Sequence, residues 1–182
     1  DEITHHHYPY TKGGVVVGAK IREVATKKFS AAGDKKNSEL FGQSLFPAGG
    51  LKVVVVEGEL DAMILAQVFL DKYGKIYPVV SLPDGAQSAG KSCLQHREYL
   101  RSFQEVILML DSDPQGAAAT QVAAKIIGAD RVKLASLTAK DPCDQFLKSG
   151  GASLIAAVWN AQPWTPAGII NAADTWQEYL KE

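Results

Sequence analysis

The sequence predicts an α/β fold in which a mostly parallel central sheet is flanked by helices, preceded by a small N-terminal lobe of mixed α/β structure and basic charge. Two observations support this prediction. Short runs rich in Val, Ile and Leu alternate with longer segments of helical character. A cluster of Pro, Ala and Gly at residues 47–50 separates this alternating region from the stretch before it.

The first stretch, residues 8–30, predicts antiparallel strands joined at the Gly13-Gly14 turn. Lys and Arg residues concentrate there, so the lobe is basic although the chain has a formal net charge of −1. We interpret His5-His6-His7 as native strand sequence that leads into this hairpin rather than as a metal site.

The alternating region predicts four strand-helix units. The expected strands cover residues 52–56, 77–82, 105–110 and 131–137, and the expected helices cover residues 59–72, 88–103, 114–127 and 141–148. The strands are short and apolar, as in a sheet whose two faces are both covered. A helix over residues 152–160 follows, then a break at residues 162–166, and then a last helix over residues 172–182.

Composition limits the class of protein. The chain has 182 residues, 46% of them apolar and 21% charged, which is typical of a globular protein with one sizeable core. We find no signal peptide and no apolar run near the ~20 residues of a membrane span, so we expect no membrane partner. Cys93 and Cys143 stand far apart without a zinc-binding pattern, which favours a reduced, cytoplasmic setting.

Acidic residues follow each predicted strand, and this is the most informative pattern in the chain. Glu57, Asp84, Asp111 and Asp141 come directly after or shortly after the four strands, and Asp113 follows Asp111 at an interval of two. The carboxyl ends of parallel strands face one edge, where ligands bind. Carboxylates gathered there predict a site for a hard cation such as Mg²⁺.

Local structure offers simpler explanations for some of these acids. Asp113 precedes Pro114 and is suited to cap a helix, and it could do this as well as bind a cation. Asp141 and Asp144 also suit a helix start, as do Glu59 and Asp61. Glu57 has no such explanation, because it comes directly after four valines that we expect to be buried.

Residues 85–92, G-A-Q-S-A-G-K-S, match the P-loop pattern of ATP-binding proteins and lie between a predicted strand and a predicted helix. A P-loop ATPase is therefore an alternative hypothesis, with Lys91 on phosphate. It leaves Glu57 and Asp113 without a role. The simpler interpretation is a turn with Ser88 as the helix N-cap.

Six motifs support a resemblance to a known family. E-G-E-L-D-A (57–62) and L-M-L-D-S-D-P-Q-G (108–116) resemble the TOPRIM signature. Together with N-S-E-L-F-G-Q-S-L-F (37–46), S-L-P-D-G-A (81–86), K-D-P-C-D-Q-F-L (140–147) and W-N-A-Q-P-W-T-P (159–166), in this order, they resemble the TOPRIM-type primase (RNA polymerase) domain of the bifunctional primase-helicases of T-odd phages, related to mitochondrial Twinkle. In that family the S-L-P-D-G-A loop does not bind ATP, and animal Twinkle lacks the acids that this chain retains.

The resemblance implies synthesis of RNA primers from ribonucleoside triphosphates on a single-stranded DNA template. It implies residues 1–50 as an N-terminal basic subdomain, 51–161 as the TOPRIM catalytic domain, and 162–182 as a C-terminal segment leading into a linker towards a helicase. We expect the chain to be a piece of a longer protein, with a zinc-binding domain and a hexameric helicase domain outside it. Its location would be the cytoplasm, that of the host cell if phage-encoded.

The resemblance and the chemistry of phosphoryl transfer together assign roles to individual residues. Mg²⁺ or Mn²⁺, expected as two ions, would be held by Asp111, Asp113 and Asp141. Glu57 would be either a further metal ligand or an acid/base group. Phosphates of nucleotide or DNA would contact the basic residues Lys20, Arg22, Lys36 and Lys91.

Two other functions use the same residues. A TOPRIM nuclease would cleave DNA with the same acids and would need no nucleotides. An assembly module without catalysis, as in animal Twinkle, would bind DNA and partners only, and the retained acids argue against it.

Overall fold

The computed structural model describes residues 2–166 and residue 168, and the predicted helix over residues 172–182 lies outside them. The described chain contains eight strands, six α-helices and two 3-10 turns. They form a three-stranded antiparallel sheet, which we call the lobe sheet, and a five-stranded sheet, which we call the central sheet.

The lobe sheet consists of β1 (His5–Lys12), β2 (Val15–Glu23) and β3 (Phe29–Gly33), in this spatial order. Both central residues of the β1–β2 turn, Gly13 and Gly14, have positive φ, which explains why glycine occupies the tip of this hairpin. The predicted hairpin is therefore observed, and the His5-His6-His7 run is part of β1. Between the lobe sheet and residue 50, the described helical structure amounts to one 3-10 turn, Gln43–Leu45.

The central sheet has the order β5-β4-β6-β7-β8, and every neighbouring pair is parallel except β7 and β8. Its strands are β4 (Gly50–Val56), β5 (Val79–Ser81), β6 (Phe103–Met109), β7 (Val132–Leu134) and β8 (Gln162–Pro163). The mostly parallel α/β prediction is confirmed. Strands β5 and β7 are shorter than predicted, because only residues 79–81 and 132–134 pair with a parallel neighbour.

Alternate residues of the two central strands enter two separate cores, one on each face of the sheet. Val53 and Val55 of β4 belong to one core, and Val54 and Val56 belong to the other. Helices α2 (Ala89–Gln95), α3 (Arg97–Arg101) and α4 (Pro114–Ile127) cover the first face, and α1 (Glu59–Tyr73) and α6 (Gly151–Trp159) cover the second. This two-sided burial explains the uninterrupted apolar runs in the sequence.

The single helix predicted for residues 88–103 is wrong. Two helices, α2 and α3, meet at His96, whose φ of −106° and ψ of 19° lie outside the helical region. Phe103 is fully buried as the first residue of β6, where it pairs with Gly50 of β4. The helical segment must therefore turn and end before Phe103, a constraint that local propensity does not contain.

The lobe sheet is anchored to the rest of the protein through one face. Tyr8 and Tyr10 are buried, and both rings contact Phe41, with centroid distances of 6.0 and 5.9 Å. Phe41 in turn pairs with Ser81 of β5 in an isolated antiparallel bridge. The lobe sheet is thereby held beside the edge of the central sheet where the strands end.

Candidate active site at the carboxyl edge of the central sheet

Glu57 directly follows β4 and lies in a restricted, partly buried position. Its Oε2 atom is buried and has no hydrogen-bond partner. Its other oxygen, Oε1, would lie 3.3 Å from a Cβ atom placed on Gly85, and Gly85 has a φ of +66°. Glycine at this position therefore lets the loop after β5 approach the Glu57 carboxylate closely.

Asp111 and Asp113 follow β6 and turn the chain into α4. The side chain of Asp113 accepts a hydrogen bond of 2.9 Å from the Gly116 amide, so Asp113 is the N-cap of α4, with Pro114 in the first helical turn. The capping role expected for Asp113 is confirmed. Capping uses its Oδ1 atom and holds this carboxylate beside Asp111.

Asp141 lies at the start of α5 (Pro142–Ser149) and caps this helix by accepting a hydrogen bond of 2.7 Å from the Asp144 amide. The segment before it is joined to the β6 end, because the Ser112 amide donates to the Lys140 carbonyl at 2.7 Å. Lys140 Nζ lies 3.6 Å from Asp111 Oδ2. These contacts bring the ends of β6 and β7 together.

The electrostatics of Asp111 show that the predicted acids form one cluster. Burial, together with repulsion from the carboxylates of Glu57, Asp141 and Asp113, raises the pKa of Asp111 to about 6, and the Lys140 ammonium opposes this rise. We call Glu57, Asp111, Asp113 and Asp141 the acidic cluster. Like charges held together in partial burial are costly unless a cation offsets them.

The acidic cluster fits a divalent cation in chemistry. It supplies carboxylate oxygens, one of them the buried and unpartnered Oε2 of Glu57, and oxygen ligands are those that Mg²⁺ prefers. Within residues 2–166, however, no three His, Cys, Asp or Glu side chains converge closely enough to form a ready-made metal site. The carboxylates thus lie near one another without enclosing a single point.

Asp84 does not belong to the acidic cluster, which corrects the expectation that all four strand ends supply acids to it. Its carboxylate is 65% exposed and forms an ion pair with Lys35, which also donates to the Pro83 carbonyl at 3.0 Å. Asp84 therefore ties the loop after β5 to the N-terminal region. The sequence order of strands and acids could not show this, because the partner is far away along the chain.

Glu59 and Asp61, which the sequence explained as helix-start acids, are both buried. Glu59 accepts a hydrogen bond of 2.5 Å from the Tyr10 hydroxyl and pairs with Lys20 at 3.0 Å. Burial raises the pKa of Asp61 to about 7, with contributions from Asp141 and Asp111, although Asp61 accepts a hydrogen bond from the Cys143 amide. The sequence analysis missed the burial of these two acids in the first turn of α1. Nothing in the sequence around them distinguishes buried helix-start acids from exposed ones.

The basic residues predicted to contact phosphate occupy two places. Lys20 and Arg22 lie on β2, where Lys20 is engaged by Glu59 and Arg22 lines a cavity together with Asp61 and Asp141. Lys36 and Lys91 line a second cavity, of about 200 Å³, although they are far apart in sequence. Lys35, which we did not predict, lines the same cavity.

Residues 85–92 do not form a P-loop. A P-loop needs an extended stretch of backbone amides between its glycines, with the Lys at the start of the helix. Here Ala86–Ser88 form a 3-10 turn and α2 begins at Ala89, so Gly90 and Lys91 lie within the helix. Ser88 occupies the N-cap position of α2, but its hydroxyl donates to the Gly85 carbonyl at 3.0 Å and does not cap α2.

The chain is similar to known proteins over most of its length. A family model described as Toprim-like matches residues 54–146. The DNA helicase/primase of Enterobacteria phage T3 is 37% identical over 161 residues, which cover 88% of this chain and 27% of that protein. The chain thus spans about a quarter of the length of this relative.

Solved structures show the same relationship. The crystal structure of the primase fragment of the bacteriophage T7 primase-helicase matches with a TM-score of 0.78 and 34% identity, covering 87% of this chain and 64% of that one. A second match is the structure of the bacteriophage T7 lagging-strand DNA polymerase interacting with the primase domains of two gp4 subunits bound to an RNA/DNA hybrid and dTTP. It has a TM-score of 0.78 and 36% identity, covering 88% of this chain and 79% of that one. The Aquifex aeolicus primase shares the fold at 19% identity and a TM-score of 0.68.

The family model spans half of the chain and includes all four residues of the acidic cluster. The 36% identical primase domain extends the similarity to most of the remaining residues. The chain belongs to the Toprim-like family.

Proposed function

We propose that this chain is the RNA-polymerising part of a primase and synthesises short RNA primers on single-stranded DNA by nucleotidyl transfer. The acidic cluster is the observation that supports the proposal most directly, because phosphoryl transfer needs concentrated positive charge and the cluster is built to attract it. The phage relatives are named for primase and helicase functions.

In the proposed reaction, the 3′-hydroxyl of one nucleotide attacks the α-phosphate of the next, and pyrophosphate leaves. Asp111, Asp113 and Asp141 would hold Mg²⁺ or Mn²⁺, as two ions. Bound there, the ions would offset the negative charge that develops on the attacking and leaving oxygens. Asp113 is suited to this role because its N-cap hydrogen bond uses Oδ1 and fixes the carboxylate. Metal dependence is general among Toprim primase domains.

Glu57 has two possible roles in this scheme, as a further metal ligand or as the group that takes the proton from the attacking hydroxyl. Its buried and unpartnered Oε2 supports either, since both need an oxygen that no protein group already occupies. On the other side of the carboxylate, the loop after β5 passes so closely that a Cβ atom on Gly85 would lie 3.3 Å from Oε1. A fixed carboxylate is better placed for proton transfer than a mobile one.

We propose that the cationic residues beside the acidic cluster bind the phosphates of template and ribonucleoside triphosphates. Arg22 lines one cavity together with Asp61 and Asp141, and Lys36 and Lys91 line a second cavity. Lys20 contributes mainly by balancing the buried charge of Glu59. Without such groups, the acidic cluster would repel both substrates.

The parent protein of this proposal also contains a zinc-binding domain and a hexameric helicase domain, with which this chain would act in the host-cell cytoplasm. The structure adds one finding on membranes: among the helices within residues 2–166, none has the length and apolar character needed to cross a bilayer.

Primer synthesis tests the proposal directly. The chain is incubated with single-stranded DNA, a starting dinucleotide, labelled ribonucleoside triphosphates and Mg²⁺, and products are separated on a denaturing gel. We expect extended products that EDTA and Asp113→Asn each abolish, with Asp71→Asn on the outside of α1 as the matched control. DNA cleavage without nucleotides would instead identify a nuclease, and DNA binding with neither reaction would identify an assembly module.

A further inference from the structure

One face of the lobe sheet extends beyond the part that is packed. In the antiparallel register, Tyr8 of β1 lies opposite Lys20 of β2, and Arg22 of β2 lies opposite Phe29 of β3. Directly opposed residues and their alternate neighbours point to the same side of a sheet. The side that buries Tyr8 against Phe41 therefore continues across β2 to Phe29, which is 56% exposed on the edge strand.

Phe29 differs from a randomly exposed apolar residue because two cations lie over its ring. Lys20 Nζ is 4.6 Å and Arg22 Cζ is 6.0 Å from the ring centroid. Single exposed apolar residues are common and need no explanation. An exposed ring held between neighbouring Lys and Arg side chains is a combination that proteins use to bind single-stranded nucleic acids.

Arg22 provides a second and independent observation. Its Nε atom is buried and has no hydrogen-bond partner among the described residues. An unmet buried donor is costly, and such groups are unusual in folded proteins. A positively charged donor left without a partner beside an exposed ring indicates an anionic ligand at this place.

The Phe29 ring lines a cavity that is also lined by Asp141 of the acidic cluster. It has a volume of about 360 Å³, within the ~300–1,000 Å³ range of small-molecule sites. Phe29, Arg22 and Lys27 line this cavity together with acidic residues that include Asp61 and Asp141. A base resting on the Phe29 ring would therefore lie beside the acidic cluster, with its phosphate within reach of Arg22 and Lys27.

We propose that Phe29 is a stacking platform for a nucleobase and that Arg22 and Lys27 bind the adjoining phosphate. This inference rests on the proposed function and assigns it a nucleotide-binding place. The chemistry is shared by two sources, a base of the single-stranded template and the base of a ribonucleoside triphosphate. Stacking accepts every base, because each has a π-face, so the platform would hold the strand without selecting its sequence.

The test compares ligands with and without bases. Binding of a labelled single-stranded oligonucleotide, of an abasic oligonucleotide of equal length, and of ATP is measured for wild type, Phe29→Leu and Phe29→Trp. We expect Phe29→Leu to weaken binding of the base-bearing ligand by about five- to a hundredfold and Phe29→Trp to restore it. Phe146→Leu, at the exposed Phe of α5, is the matched control and should change nothing.

Comparing the three ligands shows whether the base on Phe29 belongs to the template or to a ribonucleoside triphosphate. Loss confined to the base-bearing oligonucleotide identifies the template, and loss confined to ATP identifies the ribonucleotide. Equal loss for the abasic and base-bearing oligonucleotides, with ATP binding unchanged, overturns the proposal, as does unchanged binding of all three ligands.

Failure of this inference is distinguishable from failure of the proposed function, because the binding measurement requires no synthesis. In Asp111→Asn, base-dependent binding should persist while primer synthesis is lost. Absence of primer synthesis by the wild-type chain would contradict the proposed function and leave the stacking result intact, whereas persistent synthesis in Asp111→Asn would remove only Asp111 from the metal site.

Discussion

Among single residues, Asp111 shows most clearly that the acidic cluster carries an electrostatic cost that a bound cation would relieve. It lies partly buried among three other carboxylates, and Lys140 at 3.6 Å is the cation that opposes them. A carboxyl with a raised pKa is destabilising in its charged form, so the folded protein retains a cost that a bound cation would relieve. This makes Asp111 a stability probe as well as a candidate ligand.

The cost at Asp111 should appear as a pH dependence of stability. Its folded pKa of about 6 exceeds the usual value of 3.8, so the folded state binds more protons than the unfolded state in this interval, and stability falls as pH rises through it. In EDTA, we expect the Tm of Asp111→Asn minus that of wild type to increase from about pH 4 to about pH 7 and then to level off.

Thermal unfolding followed by circular dichroism checks this expectation. His96, whose pKa is lowered by burial, titrates in both proteins, so its opposite contribution cancels in the difference. Added Mg²⁺ should reduce the difference, because the ion stabilises the wild-type carboxylate. A Tm difference that stays constant with pH would show that the charged Asp111 carboxylate does not destabilise the folded protein.

Glu57 is a second residue whose role separates from folding. Gln has the same size and lacks the charge, and Glu57 Oε2 has no hydrogen bond to lose. We expect Glu57→Gln to lower kcat for primer synthesis by at least about a hundredfold, as for acid–base groups, with little change in Tm. Glu98→Gln on α3 is the control, and a folded Glu57→Gln variant of normal rate would remove Glu57 from the chemistry.

At the scale of elements, the junction of β6 and α4 sets the position of two acids. The chain leaves β6, passes Asp111, and starts α4 so tightly that a Cβ atom on Gly116 would lie 2.0 Å from the Asp111 carbonyl oxygen. The same glycine donates its amide to Asp113. Gly116 therefore allows the strand and the helix to hold both carboxylates in one short turn.

Replacing Gly116 tests the importance of this junction. In an unconstrained helix, Gly→Ala stabilises by up to about 1 kcal/mol. Here the clash with backbone forces Asp111 and the start of α4 apart, so we expect Gly116→Ala to lower both Tm and primer synthesis. Ala117→Gly, at an exposed neighbouring position of α4, should cost only helix propensity and keep synthesis, and a fully active Gly116→Ala variant would contradict the argument.

At the scale of the whole molecule, the N-terminal region supplies positive charge that the acidic edge lacks. Its contacts cross from Tyr10 and Lys20 to Glu59 and from Lys35 to Asp84. The formal net charge of −1 conceals this division, because opposite charges concentrate on facing parts of the molecule. Any substrate with phosphates would meet the cations first.

This division predicts a salt dependence. Lys36 and Lys91 form no ion pair within the described residues and share one cavity. We expect Lys36→Ala with Lys91→Ala to weaken binding of single-stranded DNA and to reduce the slope of log K against log salt by about 1.4, which is two phosphate contacts on a single strand. Lys125→Ala on α4 is the control, and an unchanged slope would place the phosphate contacts elsewhere.

The strand-helix alternation, the mostly parallel sheet and the acidic cluster of Glu57, Asp111, Asp113 and Asp141 could all be predicted from the amino-acid sequence. These follow from local rules: apolar runs make buried strands, and parallel strands bring their carboxyl ends to one edge. The family resemblance rested on the same local strings, which is why it was also readable without coordinates.

Contacts between side chains far apart in the sequence could not be predicted and became visible in the folded protein. The fold paired Asp84 with Lys35, buried Glu59 under Tyr10 and Lys20, and divided the helix predicted over residues 88–103 so that Phe103 could enter the core. It also placed Phe29 over the cavity that faces Asp61 and Asp141. Such pairings depend on how the lobe sheet docks on the central sheet, and docking is governed by the shape and burial of surfaces that no local window of sequence contains.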